Sequence, residues 1–332
     1  MRCAFPRGIA GALLLTFALL TVPANAAPVC ARREAVEPAL GRLEAAMGQG
    51  RFISYAPTAL VVREGHASHA DAASIRADLA ALRPRFDSLI TYGALNGTEA
   101  IPDIARSLGF RALVVGIWNP FDEREVAAAL AAASRYPDLV VGLAAGNETV
   151  FARRRTAADL GAQLQKLHAR APTVPIATTE PFHVFYTSPG RDLLGDVDFL
   201  LANVHPVFQP WFRNAPDANA AAFVVGVVDE LAKAYCGPIL VKETGVPTGP
   251  AAAGFSAARQ AGFYRALRVA FPPQPSRAFA YFSAFDAPWR VADEQAAPGV
   301  HPEEAYWGLF DAARAPKPAL LEVPLLPPIA AE

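Results

Sequence analysis

The sequence predicts a single-domain α/β fold, a (β/α)8 TIM barrel, on three observations. Eight nearly continuous apolar runs recur at intervals of a few tens of residues. Amphipathic helical patterns fill most of the gaps between them. Polar and ionisable residues gather at the C-terminal ends of the runs. Strands buried on both faces read as unbroken Val, Ile, Leu, Phe and Ala, and strands alternating with helices imply a parallel sheet. A chain of 332 residues, 53% apolar, has the length and the core for one such barrel.

In chain order the runs are RFISYAPT (51–58), SLITYG (88–93), RALVVGIWN (111–119), LVVGLAAGNE (139–148), PIATTEPF (175–182), VDFLLANVHPVF (197–208), PILVKETGVPT (238–248) and AFAYFSAFDAPW (278–289). Helical patterns occupy 70–86, 124–136, 156–171, 220–235 and 256–271, with Ser256 placed to cap the last. In the fourth, Phe223, Val227, Val228 and Leu231 follow helical spacing. The gap after the fifth run offers only a short helix near 191–194. An open doubly wound sheet is the alternative. Such a sheet normally carries a glycine-rich ligand loop after its first strand, and RFISYAPT has none.

Arg2 and Arg7 precede an apolar stretch at 9–22, followed by Ala24-Asn25-Ala26. A basic start, a short apolar core and small residues at a cleavage site describe a secretory signal peptide, residues 1–26. The stretch is short for a membrane span of about 20 residues, which weighs against an uncleaved anchor. The expected product is periplasmic or extracellular, with no span left after cleavage. The barrel then occupies 27–320. A Pro-rich tail, 321–332, closes the chain and cannot form a long helix. Cys3 leaves with the signal, so Cys30 and Cys236 are the cysteines that remain. Both fall near the barrel's N-terminal face, and a disulfide between them is expected in an oxidising compartment.

Charge is uninformative except by exclusion. A net charge of −1 with 18% charged residues gives no basic footprint for nucleic acid. The six histidines are scattered without metal-ligand spacing. There is no glycine-rich phosphate loop and no internal repeat. The expectation is a monomer that needs neither cofactor nor metal.

The strand ends carry the chemistry. Asn147 and Glu148 end the fourth run, Glu180 the fifth, Asn203 and His205 the sixth, Lys242 and Glu243 the seventh, and Asp286 and Trp289 the eighth. Barrel enzymes build their sites on that face, and ionisable groups at buried strand ends cost free energy unless they are paired or used. Two carboxylates from different strands facing one cleft suit glycosidic cleavage: one protonates the leaving oxygen while the other attacks the sugar carbon. Glu148 and Glu243 fit by position. A structural ion pair between Lys242 and Glu243 is the competing reading. Strand neighbours point to opposite faces, so Lys242 need not pair with Glu243.

Five motifs, in order along almost the entire mature chain, resemble glycoside hydrolase family 17, the β-1,3-glucanases and related glucanosyltransferases. They are SYAPT (54–58), GNE (146–148), VKETGVPT (241–248), FDAPWR (285–290) and EAYWGLF (304–310). The resemblance implies a retaining mechanism on a β-glucan, with Glu148 as acid/base and Glu243 as nucleophile. It also implies that Asn147 contacts the sugar 2-hydroxyl. Four positions depart from the family pattern. Val246 stands for a tryptophan, His205 for a tyrosine, Ala287 for an acidic residue and Arg290 for a lysine. These departures bear on linkage and chain-length preference.

Secondary candidates are weighed against plain structural roles. His205 binds sugar, tunes a glutamate, or is a hydrogen-bonded structural residue. Tyr55 is placed to hydrogen-bond near the nucleophile. Glu180 is a subsite contact or a cation's partner, and Asp286 a further substrate contact. Trp118, Trp211, Trp289 and Trp307 include candidates for stacking on sugar rings. Trp289 is expected at the cleft and Trp307 in the core. Transglycosylation by the same carboxylate pair is the nearest alternative function. A non-catalytic carbohydrate-binding barrel and an unrelated barrel enzyme are more distant ones.

Overall fold

The computed structural model describes residues 27–30, 33–292 and 301–327. The expected export signal, 1–26, and the end of the Pro-rich tail lie outside the described residues. Eight strands form one parallel sheet in chain order: β1 (Phe52–Ser54), β2 (Ser88–Ile90), β3 (Ala112–Ile117), β4 (Val140–Asn147), β5 (Ile176–Pro181), β6 (Leu200–Asn203), β7 (Ile239–Glu243) and β8 (Arg277–Phe279). The sheet closes on itself just past β8. Ser54 N–H donates to the Tyr281 carbonyl at 2.9 Å, and Tyr281 N–H to the Phe52 carbonyl at 3.0 Å. The eight apolar runs are these eight strands, and the barrel is the fold that the sequence predicts.

Among the described residues seven α-helices accompany them: α1 (Glu37–Gln49), α2 (Ala72–Leu82), α3 (Ile101–Ser107), α4 (Glu123–Arg135), α5 (Ala157–Arg170), α6 (Asp217–Ala234) and α7 (Ala257–Ala270). Side-chain caps start four of them: Asp71, Asp122, Thr156 and, as expected, Ser256, which accepts from Arg259 N–H. After β5 the helix is replaced by two 3-10 turns, Phe182–Tyr186 and Gly190–Gly195. The sequence patterns omit α1 and α3. The latter has only 7 residues and follows a 3-10 turn, too little chain to display a helical period.

The core has two shells. Inside the barrel, Phe52, Ile90, Val114, Val141, Ala177, Phe199, Leu201, Leu240 and Ala280 pack with Leu40, Leu43 and Met47 of α1. Thus α1 plugs the lumen from the strand N-terminal side. Gly50 ends it at φ 64, where a Cβ would meet the Pro273 ring at 2.7 Å. That leaves glycine for the turn into β1. Between strands and outer helices lies a larger shell that includes Leu79, Leu113, Leu143, Leu164, Val228, Leu231 and Tyr264.

Cys30 and Cys236 are disulfide-bonded, with Cα atoms 5.0 Å apart. A short bridge between Val29 and Tyr235 holds the same two segments together. The start of the Pro-rich tail is packed, with Val323 fully buried and Pro324 accepting from Arg51 at 2.6 Å. Among the described residues, no helix is long and apolar enough to cross a membrane.

Candidate active site

Two irregular strand ends make the site. On β4 the register with β5 runs from Ala144↔Ala177 to Asn147↔Thr179, so three steps on one strand match two on the other. This bulge places Gly146 at φ 87 and Glu148 at φ 54. A non-glycine residue in that left-handed region is strained and must be held there by its surroundings. On β7 the pairing with β6 runs from Val241↔Ala202 to Glu243↔Asn203, leaving Lys242 as the extra residue. Bulges re-aim side chains at strand ends.

The second bulge overturns one expectation from strand alternation. Lys242 does not point away from Glu243. Its ammonium is buried, 3.8 Å from Glu243 Oε1, and donates to Asn147 Oδ1 at 2.6 Å. It also lies 4.2 Å from the centre of the Tyr92 ring, a cation–π contact.

Around this centre, Asn203 Nδ2 donates to Glu148 Oε1 at 2.8 Å. His205 Nε2 stands 3.4 Å from Glu243 Oε2. A carboxylate only accepts, so that nitrogen carries the proton. The imidazole packs between the rings of Trp307, Phe282 and Phe208, with centres 5.1, 5.2 and 5.7 Å away. Arg290 pairs with Glu304 at 2.9 Å, which links the FDAPWR and EAYWGLF segments at the same rim.

These surroundings separate the two glutamates electrostatically. Burial raises the Glu148 carboxyl, and the charge of Glu243 raises it further, against the Asn203 hydrogen bond. Burial pushes Glu243 up as well, but the His205 hydrogen bond and the charges of Lys242, His205 and Arg290 outweigh it. They hold Glu243 down at about 2. Burial brings Lys242 down to about 8. The site therefore holds one carboxyl whose hold on its proton is strengthened and one that stays firmly ionised.

Three sequence candidates do not face this centre. Tyr55 is buried and its hydroxyl donates to Asp78 Oδ2 at 2.9 Å, because Asp78 on α2 lies behind β1. Tyr92, at the end of the second run, holds the place near Glu243 instead, and burial and the charge of Glu243 raise its hydroxyl. Glu180 is fully buried, its two oxygens accepting from the backbone N–H groups of Val150 and Phe151, so it presents no surface to a sugar. Asp286 accepts from Lys317 Nζ at 2.6 Å and Gly308 N–H at 2.9 Å, a partnership that ties the loop after β8 to the chain beyond it. Trp289 is part-exposed on the turn Pro288–Ala292. Trp307 is buried as expected, yet it also backs His205. Lys242, Tyr92 and Asn203 are the site members that sequence reasoning left without a role, although each sits at a strand's C-terminal end.

The exposed aromatic side chains share this face. Trp118 follows β3, Phe151 follows β4, Phe208 and Trp211 follow β6, and Tyr306 follows β8. Exposed apolar groups gathered on one side mark a binding surface more than scattered ones do.

Residues 53–308 match the family described as BtgE/BtgC glycoside hydrolase domain. The glucan 1,3-beta-glucosidase of Arthroderma benhamiae is 28% identical over 266 residues, covering 74% of this chain and 84% of that protein. The probable beta-glucosidase btgE of Aspergillus flavus is 28% identical over 278 residues, 80% of this chain but only 42% of that longer protein. Among solved structures, the family 17 β-1,3-glucanosyltransferase of Rhizomucor miehei superposes with a TM-score of 0.60 at 19% identity, over 81% of this chain and 96% of that one. An endo-laminarinase from Formosa gives a TM-score of 0.64 at 20% identity, over 83% and 85%. At such identities the superpositions speak for the barrel alone. The match over 53–308 carries the family, and the chain belongs to the BtgE/BtgC glycoside hydrolase domains.

Proposed function

We propose that this protein is a retaining glycoside hydrolase of family 17 that cleaves β-1,3-linked glucan, with Glu148 as acid/base and Glu243 as nucleophile. The opposed polarisation of the two carboxyls carries the reading. An acid must keep its proton at working pH and a nucleophile must lose it, and the partners around each residue bias it in the required direction. The names of the relatives, a glucan 1,3-beta-glucosidase and a β-1,3-glucanosyltransferase, support the substrate class.

In the first step a Glu243 oxygen attacks the anomeric carbon. The glycosidic C–O bond breaks, and Glu148 gives its proton to the departing oxygen. In the second, Glu148 takes a proton from water as that water displaces Glu243. The expected carboxyl separation is about 5–5.5 Å. Lys242, by occupying Asn147 Oδ1, fixes the amide so that its NH2 end is the one left for a sugar hydroxyl. The exposed aromatics favour a second outcome from the same intermediate. A sugar whose C–H face stacks there supplies a hydroxyl in place of water, that hydroxyl gives its proton to Glu148 as it displaces Glu243, and the product is a transferred glucan. Residues 1–26 are proposed to direct export, so N-terminal sequencing of exported protein should begin near Ala27; a Met1 start would point to an anchor instead.

The deciding experiment follows the anomeric configuration of products by NMR in the parent, and turnover in two variants. Retention is expected, with Glu243→Gln inactive on every substrate. Glu148→Gln should be impaired least in the glycosylation of a dinitrophenyl glycoside, whose leaving group needs no proton. Inverted products, or an active Glu243→Gln, would refute the assignment.

A further inference from the structure

We propose that Glu180 is a positioning residue for the acid/base, its carboxylate clamping the backbone turn that aims Glu148. The inference rests on the reading of Glu148 as the acid. Glu180 ends β5, beside the strand that carries Glu148, and is fully buried. One oxygen accepts the Val150 N–H at 2.8 Å and the other the Phe151 N–H at 3.0 Å. These are the second and third residues after Glu148. Glu148 N–H donates to the Thr179 carbonyl at 2.7 Å, one residue before Glu180. The end of β5 therefore grips the β4 turn on both sides of the acid. Such a grip is needed because Glu148 sits at φ 54, a conformation that an unconstrained turn would abandon.

A carboxylate suits two diverging N–H donors because both its oxygens accept. A protonated acid has a hydroxyl hydrogen to direct somewhere, and its grip on one donor weakens. The charged groups that bear on Glu180 are Glu148, which raises its pKa, and Arg154, which lowers it. With burial as the largest influence, its carboxyl rises to about 7. The clamp is then strongest above that value and slackens as pH falls through it.

The readout separates aim from fold. We would measure kcat/KM for a laminari-oligosaccharide and for its dinitrophenyl β-glycoside in the parent, Glu148→Gln and Glu180→Gln. Misplacing a catalytic group by about 1 Å can cost about 10²-fold. Glu180→Gln keeps the size of the side chain but one acceptor only. It should lose roughly that factor on the unactivated substrate and little on the activated one. Glu180→Ala should lose more, so glutamine counts as a partial rescue. A Glu148→Gln enzyme that loses both substrates in proportion would sink the acid reading, and this inference with it. A Glu148→Gln enzyme that separates them, beside a Glu180→Gln enzyme that does not, would overturn the clamp alone. If Glu180→Gln fails to fold, the parent decides. Its ratio of unactivated to activated kcat/KM should fall on acidification through about 7. Deprotonation of Glu148 moves that ratio the opposite way, falling as pH rises. Because the two effects can cancel in the ratio, the Val150 and Phe151 amide resonances of the parent decide: they should titrate together near 7 with the carboxylate they bond, and amides that stay fixed on acidification overturn the proposal.

Discussion

Replacing Lys242 with methionine should move the acid limb of catalysis upward in pH. The Lys242 ammonium lies 3.8 Å from Glu243 Oε1. At an effective dielectric of about 20 that contact is worth roughly 4 kcal/mol, or about 3 pK units. This is an upper bound, because His205 and Arg290 remain to stabilise the anion. We expect a rise of about 1–3 units. Glu243 would then leave its parent value of about 2 for the ordinary carboxylate range. Methionine nearly matches the lysine stem in volume, so the buried position stays filled. The assay is kcat/KM against pH on a dinitrophenyl glycoside, where protonation of the leaving group is irrelevant and the limb reports the nucleophile. The variant should fall off at a pH where the parent is still fully active, and its circular dichroism should match the parent's. A folded variant whose acid limb coincides with the parent's would refute the electrostatic role of Lys242 and leave His205 and Arg290 as the groups that hold Glu243 ionised.

Glu148→Gln should melt above the parent, and the gap should widen from pH 5 to pH 8. Glu148 has a raised folded pKa, so its contribution to stability is full below its unfolded value and is lost as pH rises through the folded one; a gap independent of pH would contradict that. Reducing the Cys30–Cys236 disulfide frees a loop of sequence separation 206, worth about 5 kcal/mol in the chain-entropy estimate and on the order of 10 °C in melting temperature. Calorimetry with and without reductant checks this, and an unchanged transition would count against it. Trp289→Ala should raise KM for oligosaccharides several-fold without lowering the melting temperature. A variant with parental kinetics would make Trp289 a surface residue only.

The barrel was legible because each strand is buried on both faces and therefore reads as an unbroken apolar run, the simplest pattern a sequence can display. The two glutamates proposed as acid/base and nucleophile were legible for a related reason. An ionisable residue ending such a run has few structural uses, and Glu148 and Glu243 each end one. What surrounds them was hidden, because it depends on register. Alternation along the seventh strand turns Lys242 away from Glu243, and the bulge against β6 turns it back. No local pattern in ILVKE marks that bulge. Tyr55 and Glu180 misled for the same reason as Lys242. A strand-end position says that a side chain is near the rim, not which way it turns. Tyr55 turned outward to Asp78, and Glu180 turned to a backbone on the neighbouring strand. Asp286 found its cation, Lys317, a long way down the chain, in a segment that the sequence presents only as the approach to a tail.

The proposed assignment of roles rests on where the cations lie, more than on the glutamates themselves. Both carboxyls are mostly buried, and burial alone would raise both. Two raised carboxyls in one pocket would share a proton without either being committed. What breaks the symmetry is that the His205 hydrogen bond and the charges of Lys242, His205 and Arg290, from β7 and from the segments following β6 and β8, overcome burial at Glu243. The pull of His205 and Lys242 on Glu148 does not overcome its burial and the charge of Glu243. Glu148, on β4, receives its direct hydrogen bond from a neutral amide, Asn203. A neutral donor steadies the side chain without forcing it to ionise, whereas the cations leave Glu243 no reason to hold a proton. Moving positive charge to the β4 side of the cleft, for instance by Asn203→Lys, should therefore depress the acid and weaken protonation of the leaving group. The barrel supplies eight equivalent strand ends; in the proposed mechanism the uneven placement of charge around it suits one of two identical residues to act as acid and the other as nucleophile.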